Sequence, residues 1–288
     1  MIFDIDGKSV FAATGGLDGE IDLTKTPSMV LVHGAGMDSS VWALQTRYLA
    51  HRARRSGLGP VLAIDLPGHG RSDGPGMESI ADYAGWLAGF LSHIGDGDMN
   101  GGGRGGAPRT IVVGHSMGTF IALELAATHP EHVGSLVLVA TAASMPVHPD
   151  LLAAAAQDLA LAGGLMSGWG LAAATKVAPH PNPGMTMAAG TQALVERSAP
   201  DVLAADLSAC AAYDALAAAS AITSDVTVVS GRHDKMTPAR SAAPLIDAFS
   251  ADVHVAQHVF DCGHMSMTEA ATPLRTVLAE TLMSAADA

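Results

Sequence analysis

A serine between glycines, an aspartate after one β-prone run and a histidine after another are the residues of this 288-residue chain best placed for nucleophilic chemistry. Ser116 lies in Gly114-His115-Ser116-Met117-Gly118, directly after the run TIVV and directly before the helix-like TFIALELAATHP. G-x-S-x-G between a strand and a helix presents its serine on a sharp turn, and glycines suit the flanks because the two backbones close in there. A free serine is a weak nucleophile, so it needs a base, and the base needs an orienting acid. His264 in Asp261-Cys262-Gly263-His264-Met265 is the candidate base, and Asp234 in Gly231-Arg232-His233-Asp234 the candidate acid. The chain holds 13 histidines, so position rather than residue type selects His264. Asp234 could instead cap the helix expected near Pro238. Asp225, before the preceding β-prone run, and Asp261, closer in sequence to His264, are the alternative acids.

Acyl transfer also needs donors for a developing oxyanion. The Met117 amide, at the start of a helix, is one candidate. The Ala35 amide in His33-Gly34-Ala35-Gly36, after the run MVLVH, is the other. Asp65-Leu66-Pro67-Gly68-His69-Gly70-Arg71-Ser72 reads as a rigid turn in which His69 is structural. Met37, Trp42, Met145, Trp169, Met185, Met236 and Met265 are candidates for an apolar pocket, since flexible methionines adapt to varied shapes.

These residues must be carried by strands and loops. Short, nearly continuous apolar runs at 29–33, 61–65, 110–115, 135–140 and 226–230, with a weaker one at 253–259, alternate with helix-length segments around 40–55, 78–94, 117–129, 238–249 and 269–285. Such runs suit strands covered on both faces, so the expected class is α/β, a mostly parallel central sheet with helices on both faces. A hairpin turning at Asp6-Gly7 should precede it. Residues 143–221 are rich in Ala, Met and Pro without a convincing strand, and are expected to form a small helical cap between core segments 1–142 and 222–288. The glycine-rich stretch 96–108 reads as a surface loop, since it leads from a helix into a strand and lacks the GK[ST] of a phosphate cradle.

Composition narrows the function classes. The formal charge of −13 disfavours nucleic acid as a partner. Leu159–Thr175 is uncharged but too short and glycine-rich to span a membrane, and is expected to turn its apolar side to the pocket. Asp4 and Asp6 stand where a signal peptide would be basic, so a cytoplasmic location is expected. Cys210 and Cys262 lack metal or redox spacing and are expected as buried free thiols. No metal or cofactor is expected.

The chain resembles the α/β-hydrolase fold superfamily, in the esterase and lipase-like branch with HGxG, DLPGHGRS, GHSMG, a GRHD acid loop and a late GH pair. The resemblance covers about 28–140 and 225–285. It implies Ser116 as nucleophile, Asp234 as acid, His264 as base, and Ala35 and Met117 as oxyanion donors. Members with aspartate at the nucleophile position open epoxides or displace halides, which Ser116 argues against. The resulting expectation is a cofactor-independent serine hydrolase acting on a small apolar ester. Carbon–carbon bond hydrolase, enol-lactonase and perhydrolase activities are the alternatives within the fold, and a non-catalytic small-molecule binder is the alternative outside catalysis.

Overall fold

The computed structural model describes residues 1–23, 25–95, 109–181 and 183–284; the stretch 96–108 lies outside the described residues. The strands are β1 (Ile2–Ile5), β2 (Lys8–Ala13), β3 (Met29–Val32), β4 (Val61–Ile64), β5 (Thr110–His115), β6 (Val133–Val139), β7 (Asp225–Gly231) and β8 (Val255–Phe260). They form an eight-stranded sheet in the order β1-β2-β4-β3-β5-β6-β7-β8. The β1–β2 and β2–β4 pairs are antiparallel, and the others are parallel. The hairpin turns at Asp6 and Gly7, whose φ angles are 52° and 76°.

Every residue of β3, β4 and β5 is buried, as their unbroken apolar runs require. The helices are α1 (Ala43–Arg55), α2 (Ile80–Gly95), α3 (Met117–Thr128), α4 (Pro149–Gln157), α5 (Leu159–Gly170), α6 (Met187–Glu196), α7 (Pro200–Ala212), α8 (Leu216–Ala221), α9 (Ala243–Ala248), α10 (Ser266–Glu269) and α11 (Ala271–Ser284). α3 is apolar nearly all round and packs on β5, β6 and α2. Its fully buried Phe120, Ile121, Leu123 and Leu125 each contribute about 1.5–3 kcal/mol of hydrophobic stabilisation.

Between β6 and β7 the chain runs through α4 to α8. α4 packs on α5 and α7, and α5 on α6, whereas α8 lies against α3 and α9. The last helix of the 143–221 segment therefore belongs to the layer beside the sheet. Among the described residues no helix is long and apolar enough to cross a membrane.

Candidate active site

The turn from β5 to α3 holds Ser116 at φ 52°, ψ −118°. A non-glycine residue in this region carries roughly 1–3 kcal/mol of backbone strain and persists only where its surroundings over-determine it. They do so here. Ser116 N–H donates to Val139 O at 2.9 Å, while Ser116 O accepts from Thr119 N–H at 2.8 Å and Thr119 Oγ1 at 2.7 Å. A Cβ on Gly114 would meet Gly118 O at 2.2 Å, and one on Gly118 would meet Val32 O at 2.6 Å. Both glycines of the motif are thus set by close backbone approach.

His264 and Asp234 come together from the loops after β8 and β7. His264 Nδ1 lies 2.7 Å from Asp234 Oδ2, with both residues buried. Asp234 Oδ1 accepts from Met236 N–H at 2.8 Å and Thr237 N–H at 3.0 Å, and Oδ2 accepts from Thr237 Oγ1 at 2.8 Å. Burial alone would raise the Asp234 pKa; the adjacent imidazole and these donors outweigh it and hold the carboxyl below its ordinary range. The alternative acids are elsewhere. Asp225 is the exposed first residue of β7, at the opposite end of that strand, and Asp261 bonds His233 at 2.8 Å.

A cavity of about 110 Å³ is bordered by Ser116, His264, Thr237 and Ala35 on the sheet side. Leu151 of α4, Met166 and Trp169 of α5, and Leu207 and Cys210 of α7 close it from the other side. Ser116 and His264 share this cavity without a hydrogen bond between them; such contacts in ligand-free enzymes are often long and tighten when substrate binds. Met117 is the first residue of α3, where an amide has no intrahelical acceptor.

Of the proposed pocket residues, Met37, Met145, Trp169 and Met236 border the cavity. Trp42 and Met265 do not, and neither does Met185. Trp42 is fully enclosed behind the nucleophile strand, edge-on to the His115 ring at 6.4 Å, and Met265 sits in the core one residue beyond His264. Residue type alone could not separate a core methionine from a lining one. Both cysteines are buried and free.

Three polar residues that the sequence did not single out hold these loops. Thr237 Oγ1 lies 2.8 Å from the Asp234 carboxylate and 3.2 Å from His264 Nδ1. Glu269 Oε1 accepts from Gly263 N–H at 3.1 Å and Met265 N–H at 3.2 Å, while Oε2 accepts from Ala172 N–H at 2.9 Å and from Thr175 Oγ1. Asp206 of α7 is fully buried. The partners of Asp206, and those of Glu269 Oε2, are remote in sequence, so no local motif marks them; Thr237 and Glu269 Oε1 bond residues three to six positions away, but no spacing rule along the chain singles them out. Among the described residues no group of three or more His, Cys, Asp or Glu is arranged to hold a metal ion.

Behind the Ala35 loop, the His33 and His69 rings pack at 4.8 Å between centres, tilted by 55°. His33 Nδ1 donates to Gly34 O at 2.9 Å and Nε2 accepts from Leu66 N–H at 3.1 Å, which defines a neutral ring. Burial, reinforced by the neighbouring His69, lowers the His33 pKa to about 4. Stability from a neutral His33 is therefore complete above the ordinary pKa of 6.5 and is lost as the pH falls from there toward 4. Asp234, whose pKa is also lowered, adds its own loss only below 3.8. Urea midpoints measured across this range should decline as the pH falls from 6.5 toward 4; His33→Gln should lessen that decline, and the rest comes in part from His115, whose pKa burial also lowers.

Residues 29–277 match the family model described as the alpha/beta hydrolase family. The chain belongs to that family. Among curated relatives of this alpha/beta hydrolase is a pimeloyl-[acyl-carrier protein] methyl ester esterase of Aromatoleum aromaticum, 28% identical over 258 residues that cover 83% of this chain and 91% of the relative. An uncharacterised Mycobacterium tuberculosis protein is 35% identical over 114 residues, or 39% of this chain, and the match spans only 28% of that protein's length. Similar solved structures include the enol-lactonase from Burkholderia xenovorans LB400, with TM-score 0.79, 21% identity and coverage of 98% of this chain and 100% of the other. A thermophilic esterase has TM-score 0.75 and 23% identity, covering 99% of this hydrolase and 97% of its own chain. At these identities the two structures speak for the fold.

Proposed function

We propose that this alpha/beta hydrolase cleaves carboxylic esters of apolar, uncharged groups through an acyl-enzyme on Ser116. The observation that carries the reading is the buried Asp234–His264 pair, 2.7 Å apart, beside a cavity that His264 shares with the strained Ser116. His264 takes the hydroxyl proton as Ser116 attacks the ester carbonyl, and Asp234 holds the ring with Nδ1–H toward itself and stabilises the cation. The Ala35 and Met117 amides receive the oxyanion. The alcohol departs with the proton from His264, and a water activated by the same ring then releases the acid.

The cavity lining supports an apolar substrate. Among the described residues that border it there is no Lys, Arg, Asp or Glu, and its walls include Met37, Met145, Leu151, Met166, Trp169 and Leu207. In this reading α4, α5 and α7 act as the cap that excludes water and selects the bound group. The relative named as a methyl ester esterase adds weight to ester cleavage over the other reactions of the fold.

A fluorophosphonate probe should label Ser116, and p-nitrophenyl esters should be turned over faster than lactones or vinylogous diketones. A folded protein that takes no label is the binder of the alternative reading, and a preference for lactones or diketones replaces the ester assignment. Within α5, Met166 reaches the cavity whereas Gly168 does not border it. Met166→Trp should shift kcat/KM toward short acyl chains by roughly tenfold or more with labelling of Ser116 retained. An unaltered chain-length profile would place the acyl group elsewhere.

A further inference from the structure

The helix that closes the cavity also grips the loop assigned to the oxyanion. Asp206 Oδ2 accepts from Gly36 N–H at 2.9 Å and from His69 Nε2 at 2.8 Å, and Oδ1 accepts from Tyr83 Oη at 2.7 Å. His69 Nδ1 in turn lies 2.9 Å from Pro67 O. Both ring nitrogens therefore face acceptors, so the His69–Asp206 pair shares a proton beyond a neutral imidazole and a carboxylate. Burial opposes a charged ring, but the Asp206 carboxylate outweighs it and raises the His69 pKa. A carboxylate with no solvent exposure is retained only where donors satisfy it, and here those donors come from the Ala35 loop, the turn after β4 and helix α2.

Leu203, Asp206, Leu207 and Cys210 follow the i, i+3, i+4, i+7 spacing of one helical face. Leu203 seats directly on Gly36, whose φ is 63°; a Cβ there would meet Leu203 Cδ1 at 2.5 Å. One turn further along, Leu207 and Cys210 line the substrate cavity. A single face of α7 thus lines the cavity and fixes the backbone next to Ala35.

We propose that Asp206 is a positioning residue for the oxyanion hole: by accepting the Gly36 N–H from α7, it aims the adjacent Ala35 amide at the cavity over Ser116. The assignment rests on the function proposed above. It differs from simple anchoring of α7, which the His69 and Tyr83 bonds would also provide. If positioning is the role, loss of the Gly36 bond must lower transition-state stabilisation, while loss of an anchoring bond alone must not.

Asp206→Ala should lower kcat by about 10²-fold, the scale of one misplaced oxyanion donor, with KM changed by less than about threefold. Affinity for a trifluoromethyl ketone that forms a tetrahedral adduct on Ser116 should fall by the same factor. Tyr83→Phe, which leaves the Gly36 bond in place, should alter kcat by less than about threefold. Asp206→Asn keeps the shape and an oxygen for Gly36 and should recover most of the loss, settling at roughly a three- to tenfold deficit in kcat. The proposal is overturned by a folded Asp206→Ala of wild-type kcat, by a fall in kcat that ketone affinity does not follow, or by Tyr83→Phe matching Asp206→Ala. If Asp206→Ala does not fold, Asp206→Leu, which keeps the bulk but offers no acceptor to Gly36, takes its place, and a wild-type kcat in Asp206→Leu overturns the proposal. Wild-type protein that hydrolyses esters while the Asp206 variants are indifferent removes this assignment and leaves the function standing. Wild-type protein unlabelled at Ser116 and inert toward esters removes both.

Discussion

Ser116→Ala is expected to fold with a Tm close to that of the unmodified chain and to lose roughly 10⁴- to 10⁶-fold in kcat on esters. The strained turn survives because it is built from backbone. Val139 O and the Thr119 amide hold residue 116 from both sides, and the Gly114 and Gly118 approaches do not involve the side chain. What disappears is the atom that forms the acyl-enzyme. Residual rate would come from the oxyanion amides and substrate binding acting on water. Steady-state hydrolysis combined with fluorophosphonate labelling and intact-mass analysis tests this. Ester turnover within tenfold of the unmodified enzyme, or label carried by another serine, removes Ser116 from the nucleophile role.

Asp234→Asn should depress kcat by roughly 10⁴-fold with the fold retained. The local hydrogen bonds dictate how. The backbone amides of Met236 and Thr237 both donate to Oδ1, so an asparagine must place its oxygen there and its NH₂ where Oδ2 now faces His264 Nδ1. The imidazole then presents a lone pair at Nδ1 and carries its proton on Nε2, the nitrogen that should accept the serine proton. Flipping the amide would restore the tautomer only by setting an NH₂ against two backbone N–H groups. The expected signature is a fall in kcat with KM nearly unchanged. Asp225→Asn is the control, since Asp225 stands exposed at the far end of β7. A loss of rate in Asp225→Asn with Asp234→Asn unaffected would reassign the acid.

Much of this arrangement was legible in the chain because it is local. The apolar runs at 29–33, 61–65 and 110–115 are strands β3, β4 and β5, since no other element buries both faces of so short a segment. The strand at 135–140 begins two residues earlier than its apolar run implies, at Val133, because Val133 pairs with Thr110 of β5 across a register shift at Gly134. Ser116 was legible from glycines on either side at a strand–helix junction, and Asp234 and His264 from their positions just after strands. Parallel strands bring all their carboxyl ends to one edge of the sheet, so residues far apart in sequence but each just past a strand become neighbours.

Sequence alone therefore determined the class of fold and the order of its strand-forming runs along the chain, and it supplied the three side chains of the proposed triad, since each depends on periodicity or on a turn of a few residues. Tertiary structure decided the rest. It selected Met37, Met145 and Met236 as lining residues and left Trp42 and Met265 in the core, because a side chain's direction is set by which neighbour covers it. It placed α8 beside the sheet while α4, α5 and α7 border the cavity. It also brought Asp206 to Gly36 and Glu269 to Ala172, contacts separated by 170 and 97 residues. A buried carboxylate takes its partners from whatever backbone amides packing leaves unpaired, and no local pattern along the chain records which those will be.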